Sequence, residues 1–263
     1  MNLHNFIPKL LIFIIVQVHR TNSEGFYGTC NTPFSCGTVS GFQYPFRRHQ
    51  DPTQCGYPGF ELNCDDPNPP TINIMNITYR ILAVNPTNQI MTLVRGDMVN
   101  STCPLDLVNT TIDHNLFDYT SSYTNITFLY GCPVAFNPIG MIGSLACGSD
   151  GTGLVILAPG ALGPGMCKAS VIIPSLDSIG FMDPMKLVQV LQDGFDVRWK
   201  VESRPCADCT GSGGQCVYST STRLTKCACP ETSLLGDSCS KLNKTEVSLS
   251  PSSSSSPGIN FLP

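Results

Sequence analysis

Fourteen cysteines limit what this chain of 263 residues can fold into more than any other feature. An even number of cysteines in an exported chain predicts a disulfide framework of up to seven bridges and no free thiol. Each bridge typically stabilises a fold by about 2–4 kcal/mol. The cysteines are Cys30, Cys36, Cys55, Cys64, Cys103, Cys132, Cys147, Cys167, Cys206, Cys209, Cys216, Cys227, Cys229 and Cys239.

The N-terminus predicts that the chain is exported. Lys9 precedes an apolar run at residues 10–18, and small and polar residues follow it. The run is shorter than the roughly 20 residues that a membrane helix needs, so it indicates a signal peptide. We expect cleavage near Ser23, which places every cysteine in the mature protein.

Five Asn-x-Ser/Thr sequences predict N-glycosylation, which accompanies export. They begin at Asn76, Asn100, Asn109, Asn125 and Asn243. Loss of Lys9 and Arg20 with the leader changes the formal charge from −4 to −6. Nucleic-acid binders need basic faces, so this acidic chain is not expected to bind nucleic acid.

The mature chain divides by composition and pattern into three parts. We predict a first cysteine-rich domain at residues 24–135, a second at residues 136–240, and a disordered Ser/Pro-rich tail at residues 241–263. The longest later apolar run, residues 154–166, is interrupted by Pro159 and Pro164, so no transmembrane helix is expected after the leader. The predicted product is secreted.

Alternating hydrophobicity predicts a mainly β, disulfide-rich fold. Thr78 and Arg80 separate apolar residues with a period of two, and a turn at residues 85–88 leads into a second strand, which predicts a hairpin. The apolar positions are Ile77, Tyr79, Ile81 and Ala83. A further strand places Ile126, Phe128 and Tyr130 on one face and Asn125 and Thr127 on the other.

One helix is predicted in the second domain. Asp183 is a suitable N-cap, Pro184 suits the first helical position, and Gly194 suits the C-terminal stop. The apolar residues Leu187, Val188 and Leu191 share one face of this helix, Pro184–Asp193. A strand with Phe195, Val197 and Trp199 on one side is expected to follow.

The last six cysteines form a cluster of their own. Their spacing alone leaves 15 connectivities open, and Cys206-x-x-Cys209 offers zinc binding as an alternative to disulfides. The C-x-C pair and the final cysteine resemble an EGF-like module. That resemblance implies bridges Cys206–Cys216, Cys209–Cys227 and Cys229–Cys239.

Residues able to support catalysis are few. Only His49 and His114 remain after removal of the leader, and the sequence has no Gly-x-Ser-x-Gly elbow and no kinase motif. The glycine-rich residues 147–157 include no lysine for a phosphate, and the pair Asp65-Asp66 is explained by a turn before Pro67. We therefore predict no enzyme activity, no cofactor and no metal site.

Two sets of motifs resemble a known family. The segments "CNTPFSCGTVSGFQYPF" and "CGYPGFELNC" resemble the galacturonan-binding extracellular domain of plant wall-associated receptor kinases. The segments "GFDVRW" and "CADCTGSGGQCVY…CACP" resemble the C-terminal domain that accompanies it in receptor-like kinases of the leaf-rust-resistance type. Together the two resemblances cover most of residues 24–240.

The resemblance implies a non-catalytic ectodomain that binds pectic polysaccharide in the cell wall. Full-length relatives join such a domain to a transmembrane helix and a Ser/Thr kinase, so we expect contact with a membrane only through a helix that this chain lacks. The alternative is a secreted protein–protein interaction module, a decoy or co-receptor for a peptide or another ectodomain. A secreted hydrolase or hydrolase inhibitor is a third, weaker hypothesis.

The chemistry of galacturonan, which carries carboxylates, suggests where it would bind. Arg47, Arg48 and His49 form the densest cationic patch, and arginine suits bidentate contacts to carboxylates. Nearby aromatic rings offer faces on which sugars stack. The rings predicted to contact the ligand are Tyr44, Phe46 and Tyr57, with Phe42 and Phe60 beside them. The alternatives are that the rings form a small core and that the arginines belong to a solvated loop.

Overall fold

A computed structural model describes the fold of most of residues 27–240. The described residues are 27–30, 32–65, 68–99, 103, 107–120, 123–133, 136, 140–147, 153–176, 184–230 and 234–240. The predicted leader and tail, Asn100 and Asn243 lie outside them. No helix among the described residues is long and apolar enough to cross a bilayer.

The chain forms two compact units. The sheet unit comprises the described residues of Asn31–Glu202, and the cystine unit comprises those of Ser203–Pro263 together with those of Met1–Cys30. This division by contacts falls at a different place from the boundary predicted near residue 135, which stays a prediction about the family domains. Strand Phe195–Trp199, which lies in the second predicted domain, pairs with strands of the first.

A seven-stranded sheet dominates the sheet unit. Its strands, in spatial order, are β3 (Arg47–Arg48), β4 (Glu61–Asn63), β5 (Thr71–Ile74), β6 (Ile77–Asn85), β7 (Ile90–Arg95), β13 (Phe195–Trp199) and β8 (Phe117–Tyr119). Only β3 and β4 are parallel; the other neighbours are antiparallel. The hairpin predicted from residue 77 onward is confirmed as β6 and β7. A short two-stranded sheet, β1 (Phe34–Cys36) and β2 (Val39–Phe42), accompanies it.

Aromatic rings fill the core beneath this sheet. Phe46 lies at the centre, with its ring centroid 5.4 Å from those of Phe42 and Phe60 and 5.0 Å from that of Trp199. Phe60 also contacts Phe117 at 5.0 Å. Aromatic pairs at such distances stabilise a core beyond the burial of their area. Rings from the beginning and the end of the unit's sequence therefore pack in one core.

A four-stranded antiparallel sheet completes the unit. Its strands are β10 (Gly143–Cys147), β11 (Gly153–Pro159), β9 (Thr124–Tyr130) and β12 (Ala169–Ser175), in that spatial order. The predicted inward face of β9 is confirmed for Ile126 and Phe128. Thr127 lies on the opposite face, as predicted, and that face is covered as well: Thr127 is fully buried, and its hydroxyl donates to the carbonyl of Gly160 and accepts from the amide of Leu162.

Helix α1 (Pro184–Asp193) matches the predicted helix. Its buried residue Leu191 packs into the core of the four-stranded sheet, whereas Asp183 and the side chains of Leu187 and Val188 lie outside the described set. Gly194 ends the helix at φ +74°, where an added Cβ would lie 2.2 Å from the carbonyl oxygen of Leu93. The glycine stop is therefore confirmed, because residues other than glycine rarely adopt this positive-φ backbone conformation.

The cystine unit contains α2 (Arg204–Gly211), which the sequence analysis did not predict, and the antiparallel strands β14 (Gln215–Ser219), β15 (Leu224–Ala228) and β16 (Leu235–Gly236). Its three bridges are Cys206–Cys216, Cys209–Cys227 and Cys229–Cys239, as the EGF-like resemblance implied. The zinc alternative is thus excluded, since zinc needs thiolates and these sulfurs are bonded to one another.

All fourteen cysteines are in disulfides, which confirms the prediction of no free thiol. The sheet unit contains Cys36–Cys64, Cys103–Cys147 and Cys132–Cys167. The predicted mainly β, disulfide-rich class is therefore confirmed, with two α-helices among the described residues instead of one.

Candidate functional site

Arg47 and Arg48 of the predicted basic triplet form edge strand β3, where internal contacts occupy both arginines, and His49 follows the strand. The guanidinium of Arg47 donates from Nη1 to the carbonyl oxygens of Arg48, His49 and Asp51, at 3.1, 3.2 and 3.1 Å, and its Nη2 pairs with the carboxylate of Glu61. Only 13% of the Arg47 side chain is exposed. The hydrogen bonds of Arg47 thus stabilise the conformation of the loop after β3.

Arg48 is also held by its neighbours. Its Nε lies 3.5 Å from a carboxylate oxygen of Asp51, and its guanidinium carbon lies 4.9 Å from the ring centroid of Phe34. A cation above an aromatic face is attracted by the negative charge of that face. His49 differs, because 76% of its side chain is exposed while its Nδ1 contacts Glu61.

The predicted stacking rings are mostly in the core. Tyr44 is 7% exposed and Phe46 is 1% exposed, and Phe42 and Phe60 are fully buried. Tyr57 is half-buried, with its ring centroid 6.2 Å from that of Phe60. The core alternative therefore describes most of these rings, and Tyr57 alone retains an exposed face. The ligand roles of Tyr44, Phe46 and Tyr57 stay predictions.

A polar groove lies on the outer face of β4, β5 and β6, next to His49. Because side chains alternate along a strand, burial of Leu62, Ile72 and Tyr79 directs the residues between them outward. The groove has a volume of about 420 Å³. It is lined by His49, Glu61, Asn63, Thr71, Asn73 and Thr78.

Strand register arranges these side chains in rows. Asn63 pairs with Thr71, which pairs on its other side with Arg80. Directly paired residues point to the same face of a sheet, so Arg80 lies beside the groove. In the neighbouring row, Asn73 pairs with Thr78. Amide and hydroxyl groups therefore lie side by side across three strands, and Arg80 stands at the β6 end of one row.

Arg80 supplies a cation that the fold does not use. No ion pair or side-chain hydrogen bond within the described residues includes its guanidinium, unlike those of Arg47 and Arg48. A guanidinium presents five N–H donors in a planar fork that matches a carboxylate. Arg80 is therefore better suited than Arg47 or Arg48 to contact an acidic ligand.

The groove suits a saccharide chemically. Its amides and hydroxyls both donate and accept hydrogen bonds, as sugar hydroxyls do, while Arg80 and His49 stand on different sides of it. Of the predicted ligand residues, the structure places only His49 in this groove. The other lining residues were missed, although the alternation that placed Thr78 and Arg80 on one face of β6 was the signal that pointed to them.

Acidic and metal-binding groups add little to this site. Asp65 accepts a hydrogen bond from the side-chain amide of Asn63 at 2.9 Å, and Asp66 lies outside the described residues. The one cluster of metal-ligand type in the described part of the chain is Cys227, Cys229 and Cys239, whose sulfurs are in disulfides.

Comparison with known proteins bears on both halves of the chain. Residues 30–95 match the model for wall-associated receptor kinase galacturonan-binding domains, and residues 159–232 match that for the wall-associated receptor kinase C-terminal domain. The first match contains His49, Arg80 and every residue that lines the groove. No solved structure matches the chain.

Curated relatives are similar to this chain over most of its length. Leaf rust 10 disease-resistance locus receptor-like protein kinase-like 1.3 of Arabidopsis thaliana is 30% identical over 219 residues, which are 81% of this chain and 31% of the relative. The 2.4 protein of the same series and organism is 29% identical over 227 residues, or 83% of this chain and 36% of the relative. The chain thus spans about a third of these relatives, and by its two matched regions it belongs to the wall-associated receptor kinase family of galacturonan-binding and C-terminal domains.

Proposed function

We propose that the chain is a non-catalytic, extracellular domain of receptor type that binds acidic pectic polysaccharide, galacturonan, in the groove on β4–β6. The observation that carries this proposal is the unpaired guanidinium of Arg80 beside a row of amides and hydroxyls, inside the region that matches the galacturonan-binding family. The cell wall is the compartment in which this ligand occurs.

Each part of the groove has a role in this proposal. Arg80 binds a galacturonate carboxylate through two N–H donors, and the amides of Asn63 and Asn73 bind ring hydroxyls. His49 contacts the next sugar along the polymer. Glu61 holds His49 and Arg47 in place and keeps the loop after β3 beside the groove.

The decisive experiment compares Arg80→Gln with Arg198→Gln. Arg198 is an exposed arginine on β13 of the same sheet, and it bonds the carbonyl of Asn88, outside the groove. Binding of de-esterified oligogalacturonides to the oxidised protein is measured by calorimetry. The amide of glutamine can replace one of the two N–H donors. Loss of the other charge-assisted hydrogen bond, about 1.5 kcal/mol, predicts about tenfold weaker binding for Arg80→Gln and no change for Arg198→Gln.

Two conditions test the electrostatic part of the proposal. Binding is expected to weaken as salt rises, because exposed charges are screened over about 8–10 Å at physiological ionic strength. Methyl-esterified oligomers are expected to bind worse than the acid form. Each titration is run with a chelator, since calcium can bridge carboxylates of the protein and the polymer.

A protein that retains no pectic oligomer would contradict the proposal. That result favours the protein–protein alternative, in which the ligand is a peptide or another ectodomain. If the Arg80→Gln variant still binds pectic oligomers and the Arg48→Gln variant does not, the binding site is the basic triplet instead.

A further inference from the structure

A second groove, also about 420 Å³ in volume, lies at the end of the β5–β6 hairpin. It is lined by residues 75–77 and 107–109 and by Thr111. The proposed saccharide groove shares none of these residues.

Apolar side chains are exposed around this second groove. The exposed fractions are 61% for Met75 and 49% for both Leu107 and Val108. Three large apolar side chains around one groove form a patch, and patches of this kind mark surfaces that something else covers.

Hydrogen bonds hold the segment at residues 107–111 in place. The carbonyl of Val108 accepts from the buried guanidinium of Arg95 at 2.7 Å, and the carbonyl of Thr111 accepts from the hydroxyl of Tyr79 at 2.8 Å. The amide of Thr110 donates to the carbonyl of Ile172 at 2.9 Å. The exposed position of Leu107 and Val108 is therefore built into the fold.

Two asparagines of the predicted glycosylation sequences line the same groove. Asn76 begins Asn-Ile-Thr, and Asn109 begins Asn-Thr-Thr. Met75 and Asn76 form the two-residue turn between β5 and β6, and their φ values of 52° and 64° expose Asn76 at its tip.

The side chain of Asn109 is oriented by the backbone. Its Oδ1 accepts a hydrogen bond from the amide of Ile172 at 3.0 Å. An amide is planar, so its Nδ2 lies on the side away from that bond and keeps both hydrogens free of it.

We propose that N-linked glycans on Asn76 and Asn109 occupy this groove and cover Met75, Leu107 and Val108. In the transfer, each Nδ2 forms a bond to the anomeric carbon of an oligosaccharide carried on a lipid diphosphate. The amide loses one proton, and the lipid diphosphate is the leaving group. The acetyl methyl group and ring face of the first N-acetylglucosamine then pack on the apolar side chains, which removes apolar surface from water.

This inference requires passage through the secretory pathway and does not rest on pectin binding. The full chain is secreted from plant cells, and the glycosylated asparagines are mapped by mass spectrometry after enzymatic release in heavy-oxygen water. Both Asn76 and Asn109 are expected to carry glycans. Either site found empty in the secreted protein overturns the proposal and leaves the patch available to a protein partner.

The covering role is tested with a double variant, Asn76→Gly and Thr111→Ala. Glycine suits the positive φ at residue 76, and Thr111→Ala destroys the second sequence while it keeps Asn109 and its bond to Ile172. The double variant is expected to bind several-fold more of a dye specific for apolar surface and to self-associate in sedimentation. Adding Met75→Ser and Leu107→Ser is expected to reverse both effects.

Asn125→Gln is the matched control, because it removes a glycosylation sequence on β9, outside this groove. It is expected to leave dye binding unchanged. Dye binding by the double variant that equals that of the parent protein contradicts the covering role, whether or not the glycans are present.

Discussion

The two units of this molecule build their cores from different materials. In the sheet unit, large apolar side chains such as Phe46, Phe60 and Leu62 are buried beneath a seven-stranded sheet. In the cystine unit, an added Cβ on Gly214 would lie 2.3 Å from the sulfur of Cys227 and 2.6 Å from that of Cys239. Sulfur occupies there the space that aromatic rings occupy in the sheet unit.

Size explains the difference. The three bridges of the cystine unit all lie within residues 206–239. A segment below about 40 residues buries too little apolar surface to offset the entropy lost on folding, so it usually needs disulfides or a metal. The sheet unit is large enough to fold on apolar burial, and its disulfides add to a core that already exists. Covalent bonds are therefore expected to decide the fold of one unit and to reinforce that of the other.

The largest effect is expected from Phe46→Ala. Removal of a fully buried ring that contacts three others is expected to lower the free energy of unfolding by about 3–5 kcal/mol, because it loses apolar burial and leaves a cavity. Urea unfolding followed by the fluorescence of Trp199, the single tryptophan, measures this change. Leu82→Ala, at a site 38% exposed, is the control and is expected to change stability by about 0.5 kcal/mol or less. A loss below about 1 kcal/mol for Phe46→Ala would contradict an aromatic core.

Loss of one bridge in each unit tests the comparison directly. Replacement of Cys209 and Cys227 by alanine is expected to cost about 2–5 kcal/mol and to unfold the cystine unit. Hydrogen exchange is then expected to show loss of protection in β14 and β15, with β6 and β7 still protected. The matched replacement of Cys36 and Cys64 is expected to leave the seven-stranded sheet folded. Protected strands β14 and β15 without the Cys209–Cys227 bridge would show that the cystine unit folds on apolar burial after all.

Gly194→Ala tests how the sheet unit joins α1 to β13. The methyl group would meet the carbonyl of Leu93 in a backbone conformation that alanine disfavours, so we expect a cost of about 1–3 kcal/mol. Gly163→Ala is the control, since nothing lies within 4 Å of its added Cβ. Equal urea midpoints for the two variants would show that the helix stop tolerates a side chain.

The smallest effect is expected at a surface ion pair. Lys200 Nζ lies 2.8 Å from Asp118, and its hydrogen bond holds the pKa of that carboxyl below the ordinary 3.8. Because the folded pKa is depressed, the pair contributes stability above pH 3.8 and loses it as pH falls through the folded pKa. Lys200→Met is expected to raise the pKa of Asp118, as measured by carboxyl NMR titration. The control is Lys226→Met, which removes an ion-pair partner of Asp237 in the cystine unit. It is expected to leave the pKa of Asp118 unchanged.

Local pattern predicted much of the fold and less of the candidate site. The hairpin of β6 and β7, the helix with its stop at Gly194 and strand β13 follow from alternation and turn residues over a few positions. The three bridges of the cystine unit matched a resemblance, since spacing alone left their connectivity open. Helix α2 was missed because its two cysteines were interpreted only as part of a disulfide spacing pattern and its helical pattern was not tested.

The basic triplet shows why the site was harder to predict. A run of Arg47, Arg48 and His49 indicates a cationic patch only if nothing neutralises it, and Glu61 and Asp51 do so from later positions in the chain. The groove instead combines residues from three strands and one loop, and that combination depends on register. Arg80 was visible in the sequence as a polar position on a strand, without any sign that it lacked a partner.

The sequence by itself determined the spacing of the cysteines, the alternation of the strands and the resemblance to wall-associated receptor kinase domains, because each is a property of residues close together in the chain. Only the tertiary structure decided which charges are neutralised, which aromatic rings are buried and which polar residues meet on one face. Those properties depend on partners distant in sequence: Trp199 completes the core around Phe46, and the pairing of β5 with β6 sets Arg80 beside Thr71. A binding surface is made of such long-range neighbours, so its residues become apparent only after the strands are in register.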